Sequence, residues 1–203
     1  MADHVIDSVE SLVAVLGEPH EFLKEKVYSE LDADMQAFIA SSTLVMISTL
    51  DASGNPDVSP KGDPAGFVRV DGPDVLHIPD RPGNKLAFGF RNLLQNPSIG
   101  LLFITPNSRE TLRVKGKATL STDPALLQSM SVKGKPALLA TTVQIEECFM
   151  HCGKAMIRSG VWQPESWPEK MKSVIARQAS RMLEIDESLM ESELEKNYQE
   201  ELY

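Results

Sequence analysis

Residues 79–85 read PDRPGNK and join an apolar run, VLHI, to LAFGFRNLLQNP. Arg81 and Lys85 bring two cations into this short connection, Asn84 can cap a helix or donate a hydrogen bond, and Gly83 lets backbone pass close to a ligand. A helix opening here would present unpaired N–H groups and a positive dipole end, which suits a phosphate. The same residues also make an ordinary capped, solvated turn. A second cluster lies upstream, where prolines and glycines interrupt a strand-like stretch around Ser59, Lys61, Gly62 and Gly66. A hydroxyl and an ammonium there are natural phosphate donors, and the interruptions mark either a close approach to a ligand or a surface bulge.

A third set lies near residue 150. Cys148, His151 and Cys152 would fall within one turn if 149–160 is helical, enough to begin a zinc site but without a fourth ligand, so no metal is expected and inert thiols are the simpler outcome. Lys154 and Arg158, at i and i+4, would share a helix face without an acid to neutralise both. Such a couple suits an external anion from cofactor or substrate, or else is simply solvated. Trp162 can stack on a flat ligand or fill an interface.

The elements that must position these residues are legible in outline. Apolar and charged residues at helical spacing predict helices at about 7–16 and 31–40, the second capped by Asp32 or Asp34. Strands are expected at 43–50, over 57–63 and 65–70 as one strand with an interruption, at the VLHI run, 98–105 and 137–147. The clearest is 110–121, with Leu112, Val114, Gly116, Ala118 and Leu120 on one face and Thr111, Arg113, Lys115, Lys117 and Thr119 on the other. Helices are expected at 84–95, at 123–130 behind Asp123-Pro124, at 149–160, and from the capping-box spacing of Ser166 and Glu169 onward. The division is then 1–42 as N-terminal helices, 43–147 as a small antiparallel barrel, and 148–203 as a C-terminal helical segment.

Composition narrows the classes. At 203 residues, 42% hydrophobic and 24% charged, the chain can bury a core of its own. The net charge of −9 resides mostly in residues 184–203, where eight acids face Lys196 alone, and the sign argues against nucleic acid. No apolar run reaches membrane-spanning length, and MADHVIDSVE lacks a signal-peptide core, so a cytoplasmic protein without a membrane partner is expected.

Taken in order, DVSPKGDPAGFV, LHIPDRPGNK, NPSIGLLF, ETLRVKGKA and ECFMHCGKAMIRSGVWQPESWP resemble the pyridoxamine 5′-phosphate oxidase-like FMN-binding split barrels, in the branch of FMN-dependent proteins without an assigned substrate. The resemblance spans roughly residues 30–170. It implies a mainly β fold with flanking helices, a six-stranded antiparallel split barrel. It also implies a homodimer with FMN at the interface and FMN-dependent oxidoreductase activity on a small molecule. By the same resemblance Lys85 matches a phosphate-holding lysine. Asn84 stands where the oxidases have arginine, so Arg81 would supply that charge. Ser59 and Lys61 fall where further phosphate and ring contacts lie, and Thr111 and Arg113 lie along the flavin. The segment with Lys154, Arg158 and Trp162 departs from the oxidases' vitamin-binding region, so their substrate does not carry over. Deazaflavin F420 or haem in place of FMN, or flavin storage without catalysis, are the alternatives.

Overall fold

The computed structural model describes residues 4–23 and 25–203. Seven strands, β1 (Leu44–Leu50), β2 (Pro56–Gly62), β3 (Arg69–Asp71), β4 (Val75–Asp80), β5 (Ser98–Ile104), β6 (Thr111–Ser121) and β7 (Leu139–His151), form one sheet in the order β2-β1-β5-β6-β7-β4-β3. Every neighbouring pair is antiparallel. The sheet therefore has seven strands and two open edges, where six strands were expected. The added edge strand is β3, all that remains of 65–70 once Asp63–Phe67 turns.

Alternation along the strands gives the open sheet one buried face. Val45, Ile47, Leu101, Phe103, Leu112 and Val114 point to one side and are buried, and Leu76, Ile78, Val143 and Ile145 meet them from the other flank. Helix α2 (Ala33–Ser41), capped by the Asp32 side chain on the Met35 amide at 2.8 Å, adds Met35 and Ile39 to this core. Between β6 and β7 the register shifts at Lys115/Gly116, leaving Glu146 as the extra residue of a bulge. Gly116 is required there: a Cβ would stand 2.1 Å from the Gln144 carbonyl oxygen.

The remaining helices are α1 (Val9–Leu16), α3 (Phe88–Leu93), α4 (Pro124–Ser129), α5 (Lys154–Ser159), α6 (Val174–Leu183) and α7 (Glu187–Glu200). Three differ from the sequence expectation. The helix expected over 84–95 shrinks to α3, because Lys85 and Ala87 take left-handed φ angles of 60° and 55° that no α-helix admits. The helix expected over 149–160 shrinks to α5, because β7 keeps pairing with β6 as far as His151 opposite Thr111. The helix expected from Ser166 does not form there. The Ser166 hydroxyl instead donates to the Gln163 carbonyl at 2.8 Å, and the next helix starts at Val174 with Ser173 as its cap. No helix of the described residues is long and apolar enough to cross a membrane.

Candidate functional site

Strand β2 is an edge strand whose side chains alternate between outside and inside. Asp57, Ser59 and Lys61 face inward, half-buried, while Val58 and Pro60 face outward. Opposite them the chain leaves β4 at Asp80 and enters loop 81–87, where the Asn84 side chain accepts the Leu86 amide at 3.0 Å and fixes a local turn. These two stretches line one cavity of about 340 Å3, with Ser59, Lys61, Gly83 and Asn84 on its walls and Ile47, Thr49 and Thr141 deeper in. Thr49 is buried and accepts a hydrogen bond from the Asn92 amide nitrogen at 3.0 Å, which ties α3 to β1. A second cavity of about 660 Å3 shares Lys61, Gly83 and Asn84 and adds Asp63, Asp80, Arg81 and Lys85.

The charges of this cradle are nearly balanced. Lys61 is ion-paired with Asp80, and its ammonium also sits 4.8 Å from the Phe90 ring centre. Arg81 donates from Nε to Asp63 at 2.7 Å and from a terminal nitrogen to the Met130 carbonyl at 2.8 Å. Lys85 has no acidic partner among the described residues, is exposed, and is held in the left-handed region of backbone space. The structure thus brings Ser59, Lys61, Arg81, Asn84 and Lys85 together but commits the Arg81 guanidinium to Asp63. Residues 83–85 also precede α3 rather than opening it, so the unpaired amides of a helix N-terminus are not what they offer.

The other candidates lie elsewhere. Thr111 and Arg113 line a cavity of about 510 Å3 on the opposite side of β1, with Met46, Ser48, Val58, Leu102, His151 and Cys152. Successive residues of β1 divide the two sites: Ile47 and Thr49 line the cradle, Met46 and Ser48 the outer cavity. Arg113 is further held 5.2 Å from the Phe149 ring centre, with Lys26 4.9 Å from the same ring. Lys154 and Arg158 are exposed on α5 and line neither cavity. The Trp162 indole donates to the Ser108 carbonyl at 2.7 Å and so pins the segment after α5 to the β5–β6 turn.

Cys148, His151 and Cys152 do not share a helical turn. Cys148 is buried in β7 with its Sγ donating to the Glu30 carbonyl, and burial raises its thiol above the ordinary value. Cys152 is exposed beyond the end of the strand. Among the described residues, no group of His, Cys, Asp and Glu is arranged to hold a metal ion.

Residues 31–152 match the model of the family described as pyridoxamine 5′-phosphate oxidase. The chain belongs to that family. The matched stretch takes in α2, all seven strands and the cradle, and leaves α5, α6, α7 and Tyr203 outside it. Solved structures with a similar fold include HupZ of Group A Streptococcus, at 18% identity over 59% of this chain and 93% of that one, with a TM-score of 0.47. An FMN-binding protein of Syntrophomonas wolfei matches at 13% identity, over 68% and 95% of the two chains, with a TM-score of 0.44. HutZ, a haem storage protein of Vibrio cholerae, matches at 14% identity, over 60% and 94%, with a TM-score of 0.41. No curated protein matches the sequence.

Sequence reasoning missed Asp63, Asp80 and Tyr203 as parts of the cradle. Asp63 and Asp80 lie within two residues of the predicted cations Lys61 and Arg81, a spacing that could have suggested neutralisation. Nothing in the sequence marks Tyr203, which arrives from 140 positions away to bond Asp63.

Proposed function

We propose that the chain is an FMN-dependent oxidoreductase, with the flavin phosphate held by loop 81–85 and the inner face of β2. The observation that carries this reading is the meeting of Ser59 and Lys61 with Gly83 and Asn84 in one cavity, with unpaired Lys85 at the adjoining one. The donor set suits a phosphate: a hydroxyl, an amide and ammonium groups give charge-assisted hydrogen bonds. Bound FMN would supply the redox chemistry, and these residues would bind and orient it.

The active species is a homodimer. Thr111 and Arg113 sit on the far side of β1 from the cradle, so a partner's copies are the ones that can flank a flavin bound there. The outer cavity has Val58, 59% exposed, along its apolar wall, a surface suited to a subunit interface. Lys154 and Arg158 remain available to an anionic substrate.

The test is titration of cofactor-free protein with FMN and with riboflavin, alongside an absorption spectrum and light scattering. Tighter binding of FMN, a flavin spectrum and a mass twice 22.4 kDa are expected. Equal affinity for the two flavins removes the phosphate cradle, and a haem or deazaflavin spectrum replaces the cofactor. Bleaching of the bound flavin by a nicotinamide donor separates an enzyme from a store.

A further inference from the structure

The chain outside the family match returns to the cradle. Helix α7 packs on α6, and beyond it Glu201, Leu202 and Tyr203, with Asn197 of the last turn, line the 660 Å3 cavity opposite Arg81, Asn84 and Lys85. The Tyr203 hydroxyl donates to Asp63 Oδ1 at 2.7 Å, while Asp63 Oδ2 accepts from Arg81. The phenol ring lies 6.0 Å from the Arg81 guanidinium and 4.9 Å from the Lys133 ammonium, and Lys135 donates to the main-chain oxygen of Tyr203. Four groups of the sheet side thus hold one residue, just beyond a strongly acidic helix, against a site lined with donors that suit a phosphate.

We infer that residues 197–203 are a strap across the cradle, latched by Tyr203 on Asp63, which must open for an anionic ligand to enter or leave. The inference rests on the reading of the cradle as a phosphate site. The acidic helix repels an approaching anion at long range, and the latch sets how often the way in is clear. A strap that closes over the empty and the loaded cradle alike governs rates more than affinity.

Tyr203→Phe keeps the ring and removes the bond. Two readouts apply: the acetylation rate of the Lys61 amine by acetic anhydride, which leaves as acetate, followed by mass spectrometry, and the rates of FMN uptake and release followed by flavin fluorescence. Both are expected to rise roughly three- to tenfold, the equivalent of one hydrogen bond to a charged acceptor in a half-exposed setting, while Kd moves less than about threefold. A chain ending at residue 196 should respond at least as strongly. Unchanged acylation of Lys61 in both variants overturns the strap, whatever the flavin does. Faster acylation with unchanged flavin rates overturns the gating. Should the parent protein take up no flavin, the phosphate reading fails by itself, and the acylation rates still decide whether the strap closes the cavity.

Discussion

Lys61 on β2 is ion-paired with Asp80 at the end of β4, so a charge pair joins the two flanks of the sheet where no hydrogen-bond ladder does. The side chains keep about a quarter and a fifth of their exposure, and a pair in that setting contributes at most about 1 kcal/mol to stability. Its larger effect is on the site, because each carboxylate that holds a cation in place also cancels its charge toward a ligand.

Asp80→Asn should therefore tighten FMN binding. Releasing the Lys61 ammonium to a phosphate should gain about 0.5–1.5 kcal/mol, at little cost in folding. Isothermal titration of the variant checks this, and a weaker complex would show that Asp80 positions Lys61 for the ligand rather than competing with it.

Lys85→Ala should weaken FMN binding by about 1.5–3 kcal/mol, roughly ten- to a hundredfold or somewhat more, and leave riboflavin binding unchanged. Arg158→Ala should keep its flavin, since Arg158 is exposed on α5 and lines neither the cradle nor the outer cavity, and should lose turnover if α5 receives an anionic substrate. Equal loss of FMN in the two variants would assign α5 to the cofactor site, reached from the partner chain.

The hydrogen bond to Asp63 holds the Tyr203 phenol above its ordinary value, with burial acting in the same direction. A raised value in the folded state means the latch is fully present below the usual tyrosine range near 10. It is lost as pH rises through the raised value. The ultraviolet difference titration between the protein and Tyr203→Phe should show one phenol ionising later than a free tyrosine. A midpoint at or below the free value would contradict the bond.

Gly116→Ala should destabilise the fold by about 1–3 kcal/mol, the usual cost of forcing an atom into a packed site. The added methyl would meet backbone rather than a side chain that could swing away. Urea unfolding measures it, and a neutral result would mean the bulge can slide.

Ala87→Gly should do the opposite. Its φ of 55° is left-handed, where glycine carries no Cβ penalty, so a gain of about 0.5–1 kcal/mol is expected after glycine's greater unfolded-state freedom is set against it. The same urea curves decide it, and a loss would show that the alanine methyl packs in the cradle wall.

The sequence by itself determined the parts governed by local chemistry and strict period. The alternation of 110–121 marked β6, the Asp32/Asp34 alternatives and Asp123-Pro124 marked the starts of α2 and α4, and the ordered motifs marked the family. Through the family resemblance it also grouped Ser59, Lys61, Arg81, Asn84 and Lys85 as candidates for one anion. Tertiary structure alone decided how far strand outweighed helix. The ladder with β6 carried β7 through Cys148 and His151, separating thiols that sequence spacing had put on one helical turn. It decided as well which charges are spent. Arg81 reads as a free cation along the chain, but the fold places Asp63 2.7 Å from its Nε and brings Tyr203 to the other carboxylate oxygen. Contacts of that kind depend on distance through space, which no local pattern encodes.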